Sequence, residues 1–276
     1  MGTIQKTLFI SGTAQPGNGS REPSLVRVIG GILTTLLFAA PCLVLGRRTA
    51  ELGYTPLQVA ASALGGIIFM VVAGALVEWL VHRYILHRPS RISALQLVYH
   101  IHHRAHHWVH FPPHDYVQSG AIEYPSLLSA ESYAICGTTP ARVLTVTAYA
   151  VFYSSFALPI LAVGWLLTSN PWFTATSVAT AATLVFLLIR VHDAIHFPGV
   201  SHLEKFRWFR FLDHHHYIHH IDNRANTNFL LPLGDFLMGT LRLELDAREE
   251  AQWPSYEEAR KLPAKAQRKD DLMQLV

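Results

Sequence analysis

Apolar positions gather into four long runs. Val28 to Gly46 is nearly all apolar and is bracketed by Arg27 and by Arg47-Arg48. Leu57 to Val81 carries one charge, Glu78, close to its end. Val143 to Leu167 is uncharged and contains Pro159, which predicts a kink; Trp172 to Ile189 is uncharged as well. A helix crossing the hydrocarbon core needs about 20 apolar residues, so the pattern predicts four membrane-spanning helices, the first of marginal length. Ser169-Asn170-Pro171 is turn chemistry and predicts a helical hairpin between the third and fourth runs. The competing reading, an all-α soluble core, requires four uncharged runs near bilayer length to coincide.

Polar stretches complete the outline. Residues 1–27 read as a disordered tail rich in Gly, Ser and Pro, without the pattern of a signal peptide. Met1-Gly2 opens like a myristoylation site, but Lys6 stands where Ser or Thr is needed. Ala121 to Gly137 is moderately apolar but contains Glu123, Pro125 and Glu131, and reads as an interfacial or re-entrant helix. The predicted organisation is a tail (1–27), a membrane domain (28–247) and a charged, solvated tail (248–276).

Composition agrees with a bilayer. Charged residues are 15% of the chain against an average of about 25% in soluble domains, and charges are costly in lipid. The net charge of +3 comes without a basic stripe interleaved with aromatics, so nucleic acid is not an expected partner. Cys42 and Cys136 form no CxxC pair and no disulfide framework. With four spans, the segments after the second and fourth lie on one side. They hold 17 of the 22 Lys and Arg residues, which predicts that this side is cytoplasmic, although Arg47 and Arg48 run against that rule.

The candidate chemistry lies on the same side. Ten of the 17 histidines form four clusters: His82 and His87; His103, His106 and His107; His192 and His196; His216, His219 and His220. Residues three or four apart share a helix face, so three clusters are each predicted to aim their nitrogens at one point. His82 and His87 are five apart and need a local bulge, or a split between two metals. Glu78, one turn before His82, is a candidate acceptor to fix its tautomer. His100 is a possible further ligand, with His214 and His215 weaker candidates. His102, His110, His114 and His202 fit no shared face and are read as surface or packing residues. Neutral imidazole is the commonest protein metal ligand, and ten are too many for one ion. An all-nitrogen dimetal site suits two iron ions, with zinc possible as a substitute.

These segments resemble the fatty acid hydroxylase/sterol desaturase superfamily. Glu78-Trp79-Leu80-Val81-His82-Arg83-Tyr84-Ile85-Leu86-His87 looks like its first histidine box, and His103-Arg104-Ala105-His106-His107 with Phe111-Pro112-Pro113 like its second. His192-Asp193-Ala194-Ile195-His196 looks like the third. His216-Tyr217-Ile218-His219-His220, with Asn228-Phe229 and Gly234-Asp235-Phe236-Leu237-Met238-Gly239-Thr240, looks like the fourth box and its trailing motif. The resemblance covers roughly residues 70 to 242, and its spacers are most similar to those of the fatty acid 2-hydroxylases. Carotenoid ring hydroxylases are similar too, but usually carry a longer third box.

The resemblance implies an all-α integral membrane protein of four transmembrane helices with a cytosol-facing helical cap holding a dimetal centre. It implies hydroxylation or desaturation of a membrane lipid with O2 and two electrons. Eukaryotic members often carry a fused cytochrome b5 domain, but this chain has no His-Pro-Gly-Gly haem motif. A separate donor of cytochrome b5 or ferredoxin type, with its reductase, is therefore expected. His100, Glu78, His215 and Asn228 are candidate additional ligands or supporting groups. A metal transporter is the alternative from another class, but the predicted spans hold almost no polar ligands to carry an ion across. A b-type haem carrier would need paired histidines within the spans.

Overall fold

The computed structural model describes residues 49, 51–118, 156–199 and 201–261. The run 28–46, the segment 121–137, the first part of the run from Val143 and both chain ends lie outside the described residues. Among the described residues every regular element is helical, and none is a strand. The α-helices are α1 (Pro56–Val81), α2 (Ser93–Tyr99), α3 (Phe156–Thr168), α4 (Pro171–His196), α5 (Arg207–Ile221), α6 (Leu233–Leu237), α7 (Ala247–Gln252) and α8 (Tyr256–Ala259). Two stretches are wound as π-helix, π1 (His82–Leu86) and π2 (His100–His110). The described residues fall into two compact units, one taking those up to Val77 with 156–187, the other 78–118 with 188–261.

Among the described residues, two helices are long and apolar enough to cross a membrane: Pro56–Leu86 (31 residues, α1 continued by π1) and Pro171–His196 (26 residues). They contain the predicted second and fourth runs. Only 17% and 11% of their most apolar windows are buried, whereas a core helix of a soluble protein is mostly buried. Leu57, Leu64, Ile68, Leu166, Leu167 and Phe186 are among the large apolar side chains left exposed. α3 is an apolar helix of shorter described length.

The predicted hairpin is present in the first unit. α3 ends at Thr168, and Ser169 takes a left-handed φ of 46° to turn the chain. Asn170 caps α4, its Oδ1 accepting from Trp172 N (2.9 Å) and Phe173 N (3.1 Å). α1 and α4 come close at Gly66, where a Cβ would meet Phe173 O and Thr176 Oγ1 at 2.3 Å. Ser177 Oγ donates to the Gly66 carbonyl across that contact (3.1 Å).

The second unit has a core of Tyr116, Val191, Ile195, Phe209, Leu212, Tyr217 and Phe229, with Ala259 among them. Most of residues 248–261 are exposed, as expected of a solvated tail, but Tyr256 and Ala259 pack on this core. Asp246 with Glu249, and Ser255 with Glu258, form capping boxes that start α7 and α8. Arg260 then reaches buried Asp213 (Nε–Oδ2 3.2 Å) and the Ile195 carbonyl (2.8 Å). This one charge holds the segment on the core, while Arg248, Glu250, Glu257, Glu258 and Lys261 face solvent. Burial pushes the Asp213 carboxyl up to about 6, against the opposing pull of Arg260 and of its hydrogen bonds.

Candidate metal centre

All the clustered histidines lie in the second unit. The chain does not leave helix after Val81 but widens into π1, where backbone hydrogen bonds span five residues instead of four. That brings His82 and His87 onto one face, their rings stacked 5.0 Å apart. Of the two predicted solutions, the bulge is the one realised, and both histidines enter the same group. π2 repeats the device: His102 and His107, also five apart, have Nε2 atoms 3.2 Å apart.

Ten imidazoles converge in two groups with a bridge. His82, His87, His102, His107 and His219 form one, each offering a nitrogen within 4.8 Å of the others. His106, His192, His196 and His216 form the second, and His106, His107 and His220 lie between. Nine of the ten sequence candidates are in these sets. The tenth, His103, is half-buried beside them, with its Nδ1 2.8 Å from His87 Nδ1. His102, read as a surface or packing residue, takes the place expected for His103 and is 3% exposed. The π winding places His102 and His107, five apart, beside each other, while His102 and His106, four apart, remain stacked at 5.5 Å. The predicted convergence of each triplet on one point is not what forms either. His106 and His107 face different groups, as do His216 and His219. His192 and His196, in regular α-helix, stay together.

Backbone carbonyls fix the rings. Nδ1 of His82 meets Thr227 O (2.6 Å), Nδ1 of His196 meets Tyr116 O (2.8 Å), Nδ1 of His219 meets Ala225 O (2.8 Å) and Nδ1 of His220 meets Phe111 O (2.7 Å). A carbonyl only accepts, so each Nδ1 carries the proton and each Nε2 keeps its lone pair. Those lone pairs point at other nitrogens. Nε2–Nε2 separations are 2.9 Å for His82–His102, 3.0 Å for His87–His219, 3.2 Å for His196–His216 and 3.1 Å for His216–His220. His102 Nε2 has three such neighbours within 3.3 Å and at most one proton to give. His106 is fully buried and neither of its nitrogens has a hydrogen-bond partner among the described residues.

One N–H can serve one of these contacts at His102 and one at His216; the lone pairs left facing each other repel unless a cation lies between them. A metal–imidazole bond of about 2.05 Å gives ligand–ligand edges of about 2.9 Å at right angles and about 3.3 Å in a tetrahedron. The observed separations have the same size, so the donor set fits metal ions. Electrostatics agree. Desolvation first, and neighbouring imidazoles second, hold His87, His106, His107, His216 and His220 well below the usual histidine range. Desolvation, outweighing the hydrogen bond to Ala225, lowers His219 to about 3. Neutral imidazole is the form that binds a metal.

The loop after α5 forms a collar around the first group. Asn226 adopts a left-handed φ of 54°, and its side chain bonds to the backbone of His215 and Arg242. Residues 225, 227 and 228 then present carbonyls to His219, His82 and His215. Asp235 clamps the loop, accepting from Thr227 N, Thr227 Oγ1, Asn228 N and Thr240 Oγ1. Glu78 accepts from Asn228 Nδ2 (3.1 Å) and Phe229 N (2.9 Å). It therefore acts on His82 through the loop, and the direct tautomer-fixing acceptor is the Thr227 carbonyl. Asn228 braces Glu78 and Asp235 and belongs to neither imidazole group. His215 turns to Asn228 O and Asp235, and exposed His100 to Gln96. His114 lies against Trp253 and His214 against Tyr256.

Comparison of the chain with family models, with curated proteins and with solved structures finds no match.

Proposed function

We propose that the chain is a membrane-bound, O2-dependent di-iron oxygenase that hydroxylates a C–H bond of a lipid acyl or alkyl chain, a member of the fatty acid hydroxylase/sterol desaturase superfamily. The observation that carries this reading is the pair of buried, neutral, all-imidazole groups with lone pairs turned inward. His82, His87, His102, His107 and His219 would hold one iron, and His106, His192, His196 and His216 the other, with His220 between them. Bound iron would supply the redox chemistry of O2, with the balance R–H + O2 + 2 e⁻ + 2 H⁺ → R–OH + H2O. An all-nitrogen donor set suits iron, and a zinc site with more than four histidines per ion would be unusual.

The chain's own contribution is orientation and exclusion of water. Carbonyls of Phe111, Tyr116, Ala225 and Thr227 fix the rings before any metal arrives. Burial keeps the rings neutral at neutral pH, with one nitrogen of each free to bind a metal. The two apolar helices that end in histidines support a lipid substrate reached from the bilayer. A four-span topology with the histidine face toward the cytoplasm, and a separate electron donor, belong to the same proposal.

The test is oxidation by purified, iron-replete protein supplied with reductant and ¹⁸O2. One labelled oxygen atom in a lipid product is expected. A desaturated product without label would move the chain to the desaturases of the superfamily. No oxidised lipid from protein holding two irons per chain would reject the oxygenase, and uptake of Fe²⁺ into vesicles would then favour a transporter.

A further inference from the structure

A concave site of about 580 Å³ opens beside the first imidazole group. Its lining includes His87 of that group, His103, Asp222 and three arginines, Arg83, Arg88 and Arg224. That volume is within the range of small-molecule sites. Arg83 and Arg88 are five residues apart, as His82 and His87 are, and Arg88 lies just past the end of π1. Both guanidiniums lie over the Tyr84 ring, at 6.0 and 4.7 Å, and Arg83 is also 5.5 Å from the Trp79 ring. Arg83 donates to the Arg224 carbonyl, which ties the third arginine to the other two.

These contacts orient the cations without neutralising them. Among the described residues none of the three is paired with a carboxylate. The one acidic group of the lining, Asp222, is bound to Arg242 (3.0 Å) and to Arg224 N (3.0 Å). Two guanidiniums on one aromatic ring repel each other, and a bound anion relieves that repulsion. Planar guanidinium forks match the oxygens of phosphate and carboxylate.

We infer that Arg83, Arg88, Arg224 and His103 form a receptor for an anionic headgroup, a phosphate or carboxylate, which anchors an amphiphilic substrate whose chain passes His87. This rests on the proposed oxygenase and narrows its substrates to anionic lipids. The concave shape of the site and its shared wall with the metal group favour a small headgroup over the flat acidic surface of a protein.

Direct binding tests it, using the full chain in detergent with its metal content measured. The probes are dodecyl phosphate, uncharged 1-O-dodecylglycerol and inorganic phosphate. Dodecyl phosphate is expected to bind at least about 10-fold more tightly than either of the others. Arg88→Gln and Arg224→Gln, both at exposed positions, are each expected to weaken it about 10-fold, with dodecylglycerol binding and metal content unchanged. Arg83 is left intact because it braces the loop. Equal affinity for dodecyl phosphate and dodecylglycerol, or an undiminished preference in both variants, overturns the inference. Inorganic phosphate binding as tightly as dodecyl phosphate assigns the site to free phosphate and overturns the lipid. Weakened binding of an acidic ferredoxin with unchanged dodecyl phosphate binding makes the site a protein-docking surface and overturns it also. Because binding is read without turnover, loss of the oxygenase reading alone would leave the expected binding pattern in place.

Discussion

His102→Ala separates the geometry of this site from its sequence pattern. His102 is 3% exposed, and its Nε2 lies 2.9 Å from that of His82, 3.2 Å from that of His107 and 3.3 Å from that of His87. It is one of five nitrogens in its group. Loss of a residue that only orients a ligand costs about 10–100-fold in metal affinity. Loss of one that donates directly is expected to cost at least about 100-fold, or about 2.7 kcal/mol. In the metal-free chain the same change removes three close lone-pair contacts, which offsets part of the packing lost with the ring. The assay is a chelator-competition titration followed by elemental analysis, with His103→Ala in parallel. His102→Ala is expected to retain one metal ion per chain and to lose turnover, and His103→Ala to retain both ions. Two tightly held ions in His102→Ala, or a lost ion in His103→Ala, would refute the assignment of His102 in place of His103.

Three further outcomes follow from the same structure. Asp235→Asn replaces an acceptor of four hydrogen bonds in the collar; metal affinity is expected to fall about 10–100-fold, and unchanged affinity in competition titration would show that the collar does not position His82 and His219. Acidification should destabilise the metal-free protein. His219 has a folded pKa of about 3 against 6.5 in its ordinary state, so its stabilisation is complete above pH 6.5 and declines by about 1.4 kcal/mol per pH unit below it. His87, His106, His107, His216 and His220 add the same sign, so a metal-free Tm that stays flat from pH 7.5 to 5.5 would contradict their burial as neutral rings. Arg260→Leu leaves Asp213 buried without its cation, for an expected loss of about 3 kcal/mol in denaturant unfolding, with recovery when Asp213→Asn is added; no loss would mean that 248–261 does not anchor the unit.

Much of the site was legible because histidine spacing is a direct record of helix pitch. His192 and His196 sit four apart in an ordinary α-helix and share a group, as the spacing requires. Where the pitch changes, the pattern misleads. His103-x-x-His-His reads as one α-helical face, but π winding sends His106 and His107 to different groups and puts His102 beside His107. The signal was present, since His82 to His87 and His102 to His107 are the same five-residue step. The carbonyl collar was not legible, because any residue supplies a carbonyl. Only Asp235 and Asn228, which shape that loop, stand out as side chains. The apolar runs gave two helices able to cross a membrane and a capped hairpin turn. They gave no hint that Arg260, in a charged stretch, closes on buried Asp213.

A π turn is an α turn with one residue too many, and this makes the chain length between His82 and His87 a coordinate of the site. Removing one residue from π1 would let the helix continue as α. Four residues of α-helix turn the chain about as far as these five do, so His82 and His87 would stay on one face, whereas one added residue would swing everything after it by about 100°. An alanine inserted after Ile85 should therefore abolish metal binding by the first group, while Ile85→Ala, which keeps the count, should preserve it. Equal metal content in the two variants would show that the winding is incidental. In this stretch an insertion is the severe lesion and a substitution the mild one, a hierarchy of tolerance set by arithmetic along the backbone.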